Sequence, residues 1–296
     1  MKTTHLLLCF VCLVVATEFS GCADHLNPGI PPGSVARRLR VKTITQALPG
    51  SPNTTKVSSF SYDSQGRLAS ILTAQAPDRT VAPVETSIYQ YDAQNRLTQL
   101  RRDIVDPNNP SNPNSTETYT LSYNLINQIA ELTYNGLVVR PTYNGSNQIT
   151  EVTKTLAIGG LTYGERDTFT YTGDNLTYAN FSGATDARGV RITAVVNTTY
   201  TYDTKINPFF GKYIIPAPGN VATSVSVVPI YTQYTYYGGF SNLLNLSPNN
   251  VISSTSDNNT RITYAYTYNA SDLPASRVTT NNNAVTETLT YEYETY

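Results

Sequence analysis

The sequence predicts an all-β protein in which antiparallel hairpins form a strongly curved sheet or a barrel-like shell. Three observations predict it. A turn motif recurs along the chain, apolar and polar residues alternate on either side of each copy, and helical periodicity is nearly absent. The motif is clearest in Tyr62-Asp63-Ser64-Gln65-Gly66-Arg67-Leu68 and Tyr91-Asp92-Ala93-Gln94-Asn95-Arg96-Leu97. Tyr123-Asn124 with Asn127-Gln128-Ile129, and Tyr143-Asn144 with Asn147-Gln148-Ile149, keep its spacing. Tyr171, Tyr202 and Tyr268 open weaker copies, and Tyr236 divides the long gap between the last two nearly in half. The unit is about 30 residues, the period of a repeat architecture.

Each unit reads as a hairpin. Runs such as Tyr119-Thr120-Leu121-Ser122-Tyr123 and Ile149-Thr150-Glu151-Val152 alternate with period two, a strand signal. The Asp or Asn after the tyrosine can bond to the backbone two residues on. The Gly or Asn four residues after it tolerates the left-handed conformation that closes a short hairpin loop. Where the first of these is Asp (Asp63, Asp92), the residue five after the tyrosine is Arg (Arg67, Arg96); where it is Asn (Asn124, Asn144), that residue is Gln (Gln128, Gln148). A charge pair exchanged for an amide pair points to contact across the turn, read here as a structural contact of small individual weight.

From the N-terminus, Met1-Lys2 and the apolar stretch Leu6 to Ala16 lead to Phe19-Ser20-Gly21-Cys22, the layout of a secretory signal too short to span a bilayer. A small residue followed by Cys resembles a bacterial lipobox, which implies a signal peptide over 1–21 and lipidation of Cys22. Cys9 and Cys12 fall within the signal, so Cys22 is the only thiol of the mature chain and no disulfide is expected. Acyl chains on Cys22 would hold the protein to a membrane without a span. Residues 22–34 carry that cysteine and a Pro- and Gly-rich linker, and 35–296 are expected to be a single β domain.

Within that domain, Arg37-Arg38-Leu39-Arg40-Val41-Lys42 reads as an edge strand with a solvated charged face. Residues 103–117, with three prolines, read as a long polar loop. Residues 203–260 break the rhythm with Asn207-Pro208-Phe209-Phe210 and Leu243-Leu244-Asn245-Leu246, and this irregular insert is expected to cap an end of the sheet. The chain has 23 tyrosines and no tryptophan. Burial of each would stabilise by roughly 1.5–3 kcal/mol, which favours a structural role for the repeat tyrosines over an exposed row that stacks on sugars. The terminal Tyr296 is out of phase with Tyr291 and Tyr293, against one continuous lipid-facing row.

The chemistry present narrows the function. A net charge of −1 lacks the basic footprint that nucleic acid requires. The two histidines, His5 and His25, lie in the signal and the linker. Nucleophile–histidine catalysis and histidine or thiolate metal sites are therefore not expected in the folded part, and neither is a cofactor. Two carboxylates could still hydrolyse a glycoside; Glu165 and Asp167 are the candidates, read as strand-end charges.

The Tyr-Asp-x-x-Gly-Arg-Leu motif resembles the YD repeat of Rhs-type proteins, whose repeats build a curved or closed β-shell linked with carbohydrate binding. Full Rhs shells are far longer and enclose a C-terminal toxin, so toxin delivery is not expected. The wider layout resembles lipoproteins of Bacteroidetes in a domain-of-unknown-function family with a porin-like sheet. The lipobox, the degenerate hairpins, Asn207-Pro208-Phe209, Leu246-Ser247-Pro248-Asn249-Asn250 and Tyr266-Thr267-Tyr268-Asn269 carry this resemblance. It implies an exported protein anchored at the outer membrane, on the cell surface or its periplasmic face. The expected role is a non-enzymatic binding or structural module, with a glycan or envelope polymer as partner; a glycan hydrolase is the alternative.

Overall fold

The computed structural model describes residues 39–48, 53–108, 111, 114–158, 160–187, 190–211 and 243–296. The signal, Cys22, the linker and Tyr236 lie outside the described residues. Sixteen strands follow in order: β1 (Leu39–Ala47), β2 (Thr55–Tyr62), β3 (Leu68–Ala76), β4 (Val84–Tyr91), β5 (Leu97–Val105), β6 (Asn114–Tyr123), β7 (Ile129–Tyr134) and β8 (Leu137–Tyr143). The second half comprises β9 (Ile149–Ile158), β10 (Leu161–Thr172), β11 (Asn175–Ala187), β12 (Val190–Ile206), β13 (Asn249–Ser256), β14 (Arg261–Tyr268), β15 (Pro274–Asn281) and β16 (Ala284–Thr295). Each strand pairs antiparallel with the next, and β1 pairs with β16 from Leu39↔Thr295 to Ala47↔Thr288, so the sheet closes into a barrel.

Closure corrects one expectation at once. The strand that contains Arg40 and Lys42 is bonded on both sides, to β16 and to β2, and is no edge. Within its basic run Arg40 is half-buried and its Nε donates to Glu294 Oε1 at 2.7 Å, while Lys42 is exposed. The expected loop over 103–117 is shorter than the prolines suggested. Asp103 to Val105 complete β5 and Asn114 to Glu117 open β6, paired from Val105↔Asn114 to Arg102↔Glu117. The insert is likewise narrower than 203–260, since β12 runs to Ile206 and β13 resumes at Asn249.

Alternation decides which way each side chain points. On β6, Glu117, Tyr119 and Leu121 are buried inside while Thr116, Thr118 and Thr120 are exposed outside. The outward rows of β10 and β16 are again hydroxylic or charged, as at Thr162, Arg166 and Thr170 on β10 and at Thr290 and Glu292 on β16, while Ile88, Tyr178, Val195 and Ile252 are exposed apolar residues on other strands. A transmembrane barrel needs the reverse, an apolar outer band facing lipid. The outward faces of these strands are therefore suited to water.

Sixteen-stranded porins leave an aqueous channel. Here Leu100, Arg102, Tyr119 and Leu132 are at most 1 % exposed, so the inward rows pack on one another at their level. One apolar cluster runs through Ile71, Leu100, Leu132, Val152, Phe181 and Val251; a second joins Val41, Ile44, Leu289 and Tyr291. Phe60 and Phe209 pack against both. Phe209 belongs to the insert, whose described parts fold over the barrel end that carries the repeat turns. Asn207 N donates to the Pro248 carbonyl at 2.8 Å and Gly211 N to the Asn245 carbonyl at 3.0 Å, and a short 3-10 turn, Leu243–Leu246, sinks Leu243 and Leu246 into the core.

Candidate functional site

Two constructions stand out, a rim of interlocked turns at one end and a set of buried charges within. The rim is built by the repeat. In the turn after β2, Asp63 N donates to the Arg67 carbonyl at 2.9 Å and Gly66 N to the Asp63 carbonyl at 3.0 Å. The turns after β4, β6 and β8 reproduce both bonds. The fourth residue is left-handed in every copy, with φ of 78° at Gly66 and 63° at Asn95, Asn127 and Asn147, a conformation that Gly and Asn adopt at low cost.

The paired residues meet across their turns. Arg67 Nε donates to Asp63 Oδ2 and Arg96 Nε to Asp92 Oδ2, both at 2.7 Å. Asn124 Nδ2 donates to Gln128 Oε1 at 2.9 Å and Asn144 Nδ2 to Gln148 Oε1 at 2.8 Å. Partial desolvation pushes the Asp63 and Asp92 carboxyls up, but the bonds from the arginine and from backbone N–H groups outweigh it and hold both below the usual carboxylate range. Each fifth residue also reaches forward to the next turn. Arg67 Nη1 donates to Asn95 Oδ1 at 2.7 Å, Arg96 Nη1 to Asn127 Oδ1 at 3.0 Å, Gln128 Nε2 to Asn147 Oδ1 at 2.7 Å and Gln148 Nε2 to the Gly173 carbonyl at 3.0 Å. The Arg67 guanidinium lies 4.4 Å above the Tyr91 ring and that of Arg96 4.8 Å above Tyr123, which adds cation–π attraction to the chain of bonds.

The repeat tyrosines point inward beneath this rim. Strands β2, β4, β6, β8 and β14 end in one, Tyr171 and Tyr202 lie shortly before the ends of β10 and β12, and Tyr293 on β16 completes the set. It follows the pattern in its hydrogen bond, but Glu294 after it does not match the Asp or Asn of the motif. Tyr62 donates to the Val41 carbonyl at 2.6 Å, Tyr91 to Leu68 at 2.9 Å, Tyr123 to Leu97 at 2.8 Å and Tyr143 to Ile129 at 3.2 Å. Tyr171 donates to Ile149 at 2.9 Å, Tyr202 to Leu176, and Tyr293 to Pro274 at 2.8 Å. Tyr268, beside the insert, donates to Asp203 instead. Half-buried and bonded in this way, these rings are not a row presented for sugar stacking.

Further from the rim, the interior turns ionic. Arg102 is fully buried and grips Glu85 through Nε–Oε1 at 3.1 Å and Nη2–Oε2 at 2.8 Å, with Nη1 on Glu117 Oε2 at 2.7 Å. Tyr119 donates to Glu117 Oε2 at 3.0 Å and Ser87 to Glu85 Oε1 at 3.1 Å. Burial alone would lower the Arg102 pKa, but the two carboxylates raise it, so the guanidinium stays charged. Burial drives Lys56 down to about 8 against the opposing pull of Glu85 and Glu287. Arg277 pairs with Glu287 at 2.5 Å on the β15–β16 side.

Glu165 and Asp167 are not strand-end charges. They sit within β10, inward and almost wholly buried, because their phase matches Phe169. Lys154, opposite Glu165 in the β9–β10 register, bonds to Glu165 and lies 2.9 Å from Asp167 Oδ2, while Tyr163 donates to Glu165. Burial, reinforced by Glu165 and opposed by Lys154, pushes the Asp167 carboxyl up to about 7. The alternation missed Lys56, Glu85, Arg102, Glu117 and Lys154 as interior groups. Their signal was present, since each is in phase with its strand's inward residues, as Glu117 is with Tyr119 and Leu121. Among the described residues no group of His, Cys, Asp and Glu has the arrangement of a metal site.

No protein-family model matches the chain, and no curated protein matches it at a significant level. Solved structures do. A porin-like protein from Bacteroides uniformis is 16% identical, with 85% of this chain and 95% of that one aligned at a TM-score of 0.47. A porin-like protein from Bacteroides vulgatus is 10% identical, with 87% of this chain and 99% of that one aligned at a TM-score of 0.41.

Proposed function

We propose that this chain is a lipid-anchored, non-enzymatic barrel of the cell envelope, held to a membrane through Cys22 and acting as a binding or structural module for a glycan or other envelope polymer. The observation that carries this reading is the polarity of the barrel: mostly hydroxyl and charged side chains face out, and a packed interior faces in. A barrel of this polarity favours water outside and offers no conduit at the level of its packed rows, so it suits a rigid body tethered beside a membrane better than a pore within one. With the repeat tyrosines turned inward, a polymer ligand would meet the outward Thr, Ser and Asn surface and bind through hydrogen bonds.

The hydrolase reading has one point in its favour, the raised Asp167 pKa, since a general acid near neutrality needs such a shift. Against it, Glu165 and Asp167 share the Lys154 ammonium inside the packed barrel, where a sugar would have to displace core side chains. Carboxamide substitution at either residue is expected to alter stability and to leave glycan turnover undetected in wild type and variant alike.

The test of the main reading is protease shaving of cells that express the tagged protein, intact and with the outer membrane permeabilised, beside a Cys22→Ala control. Degradation on intact cells that is lost with Cys22→Ala supports a surface anchor and makes extracellular glycans the ligands to screen. Protection until permeabilisation supports a periplasmic scaffold. Release of the wild-type protein into the medium would sink the anchor.

A further inference from the structure

The repeat turns expose a pair of side chains at their tips, and one tip differs from the rest. Ser64-Gln65, Ala93-Gln94, Gly145-Ser146 and Ala270-Ser271 are small or polar, whereas the turn after β6 carries Leu125 and Ile126. These two are 102% and 73% exposed, the most exposed large apolar residues described. The turn does not need them there. Asn124 Oδ1 already takes the Ile126 and Gln128 N–H groups, and the polar tips close on the same bonds.

The chain enters the barrel at the same end. Leu39 begins β1 opposite Thr295, on the rim marked by Tyr62 and Tyr293, and Cys22 lies 17 residues before it. Such a tether extends to at most about 60 Å, so the rim can rest against the surface that holds the acyl chains. Ile206 and Tyr296, also at this end, add exposed apolar area. The opposite end exposes Val81, Val105, Val190, Ile192 and Val285, so apolar exposure alone does not choose between the ends; the entry of the anchor at the rim does.

We propose that the repeat rim faces the bilayer and that the Leu125–Ile126 tip inserts into its interface as a second, weaker contact beside the lipidated Cys22. The proposal rests on the anchor reading. Lipidation fixes the protein to the membrane, the apolar tip fixes its orientation, and the far end of the barrel is left pointing away from the membrane toward whatever partner the outward surface takes. Two signals of this kind are the usual requirement for a stable, oriented peripheral attachment.

The chain contains no tryptophan, so a single introduced one reports unambiguously. Leu125→Trp, with Ile126→Trp as a second reporter and Val285→Trp as the far-end control, would be made in the full-length lipidated protein and in a Cys22→Ala background. The proteins would be mixed with phosphatidylethanolamine–phosphatidylglycerol vesicles that carry brominated acyl chains. Leu125 and Ile126 lie in an exposed turn and Val285 is an exposed residue at the start of β16, and circular dichroism checks each fold. Flotation reads the anchor and quenching reads the orientation. Lipidated protein is expected to float, with L125W blue-shifted and quenched several-fold more than V285W, and the Cys22→Ala proteins are expected to stay unquenched. Flotation with equal quenching at both ends, or with stronger quenching at V285W, overturns the orientation while leaving the anchor standing. Failure of the lipidated protein to float overturns the anchor and the proposal with it.

Discussion

The Tyr91 hydroxyl donates to the Leu68 carbonyl at 2.9 Å, across the gap between one hairpin and the one before it. β3 and β4 pair only from Ser70↔Ile88 onward, so that carbonyl lies beyond the end of its ladder. The same holds for Leu97, where β5 and β6 start at Gln99↔Thr120, and for Leu176, where β11 and β12 start at Tyr178↔Thr199. Bulges beside the repeat tyrosines splay the strands at the rim, and the phenol takes the place of the missing backbone donor. A backbone carbonyl left without a partner in a partly buried site costs about 1 kcal/mol or more.

Tyr91→Phe should therefore lower stability by about 1 kcal/mol while keeping the ring's packing, whereas Tyr91→Ala should cost about 3–5 kcal/mol. Urea denaturation followed by circular dichroism separates the two. Equal losses from Phe and Ala would mean that the hydroxyl bond contributes nothing.

The interior ion group makes a different demand. Arg102 is bonded to both Glu85 and Glu117 where water does not reach, so Arg102→Met leaves two buried carboxylates with only the Lys56 ammonium, which feels Glu85, to offset them. The expected loss is about 3–5 kcal/mol. Adding Glu85→Gln and Glu117→Gln to Arg102→Met should restore much of it, because the uncompensated charge is then gone. A triple variant with a melting temperature no higher than that of Arg102→Met would contradict this account.

Much of the fold was legible in the sequence because turn chemistry is local. Asp63 or Asn124 bonding its own loop, and Gly66 or Asn127 in the left-handed region, depend on a few successive residues. Closure was not legible, since the pairing of Leu39 with Thr295 depends on the whole sequence of strands between them. The interior charges were missed for a related reason. Arg102, Glu85 and Glu117 alternate in phase with apolar neighbours, but only the register shows that each meets its counter-ion inside. Tyr293 does not read as a repeat tyrosine because Glu294 after it does not match the Asp or Asn of the motif, and Glu165 reads as a strand-end charge because a charged residue in a Thr-rich run resembles the outward face it opposes.

The exchange of Asp–Arg for Asn–Gln across the turns predicts coupling. Arg67→Gln alone leaves Asp63 without its cation and removes the stacking on Tyr91; Asp63→Asn alone leaves Arg67 without its anion. The double change Asp63→Asn with Arg67→Gln recreates the pair present at Asn124 and Gln128, and should lose less stability than the sum of the single changes. Strict additivity in a denaturation cycle would refute a direct pairing.

The Asp167 carboxyl supplies the clearest pH signature. Its folded pKa is raised to about 7 from an ordinary 3.8, so between these values the folded chain binds a proton that the unfolded chain has lost. Its contribution to stability is fully present below about pH 4 and fades as the pH rises through 7, the direction that linkage gives for a raised carboxyl. Lys56 acts in a separate window. Its folded pKa is depressed to about 8 from 10.5, so its contribution rises from pH 8 towards 10.5. Asp167→Asn should therefore flatten the decline of the urea midpoint between pH 4 and 7 and leave the change above pH 8 intact. Parallel midpoint curves for wild type and variant from pH 4 to 7 would show that Asp167 ionises in the barrel much as it does in the unfolded chain.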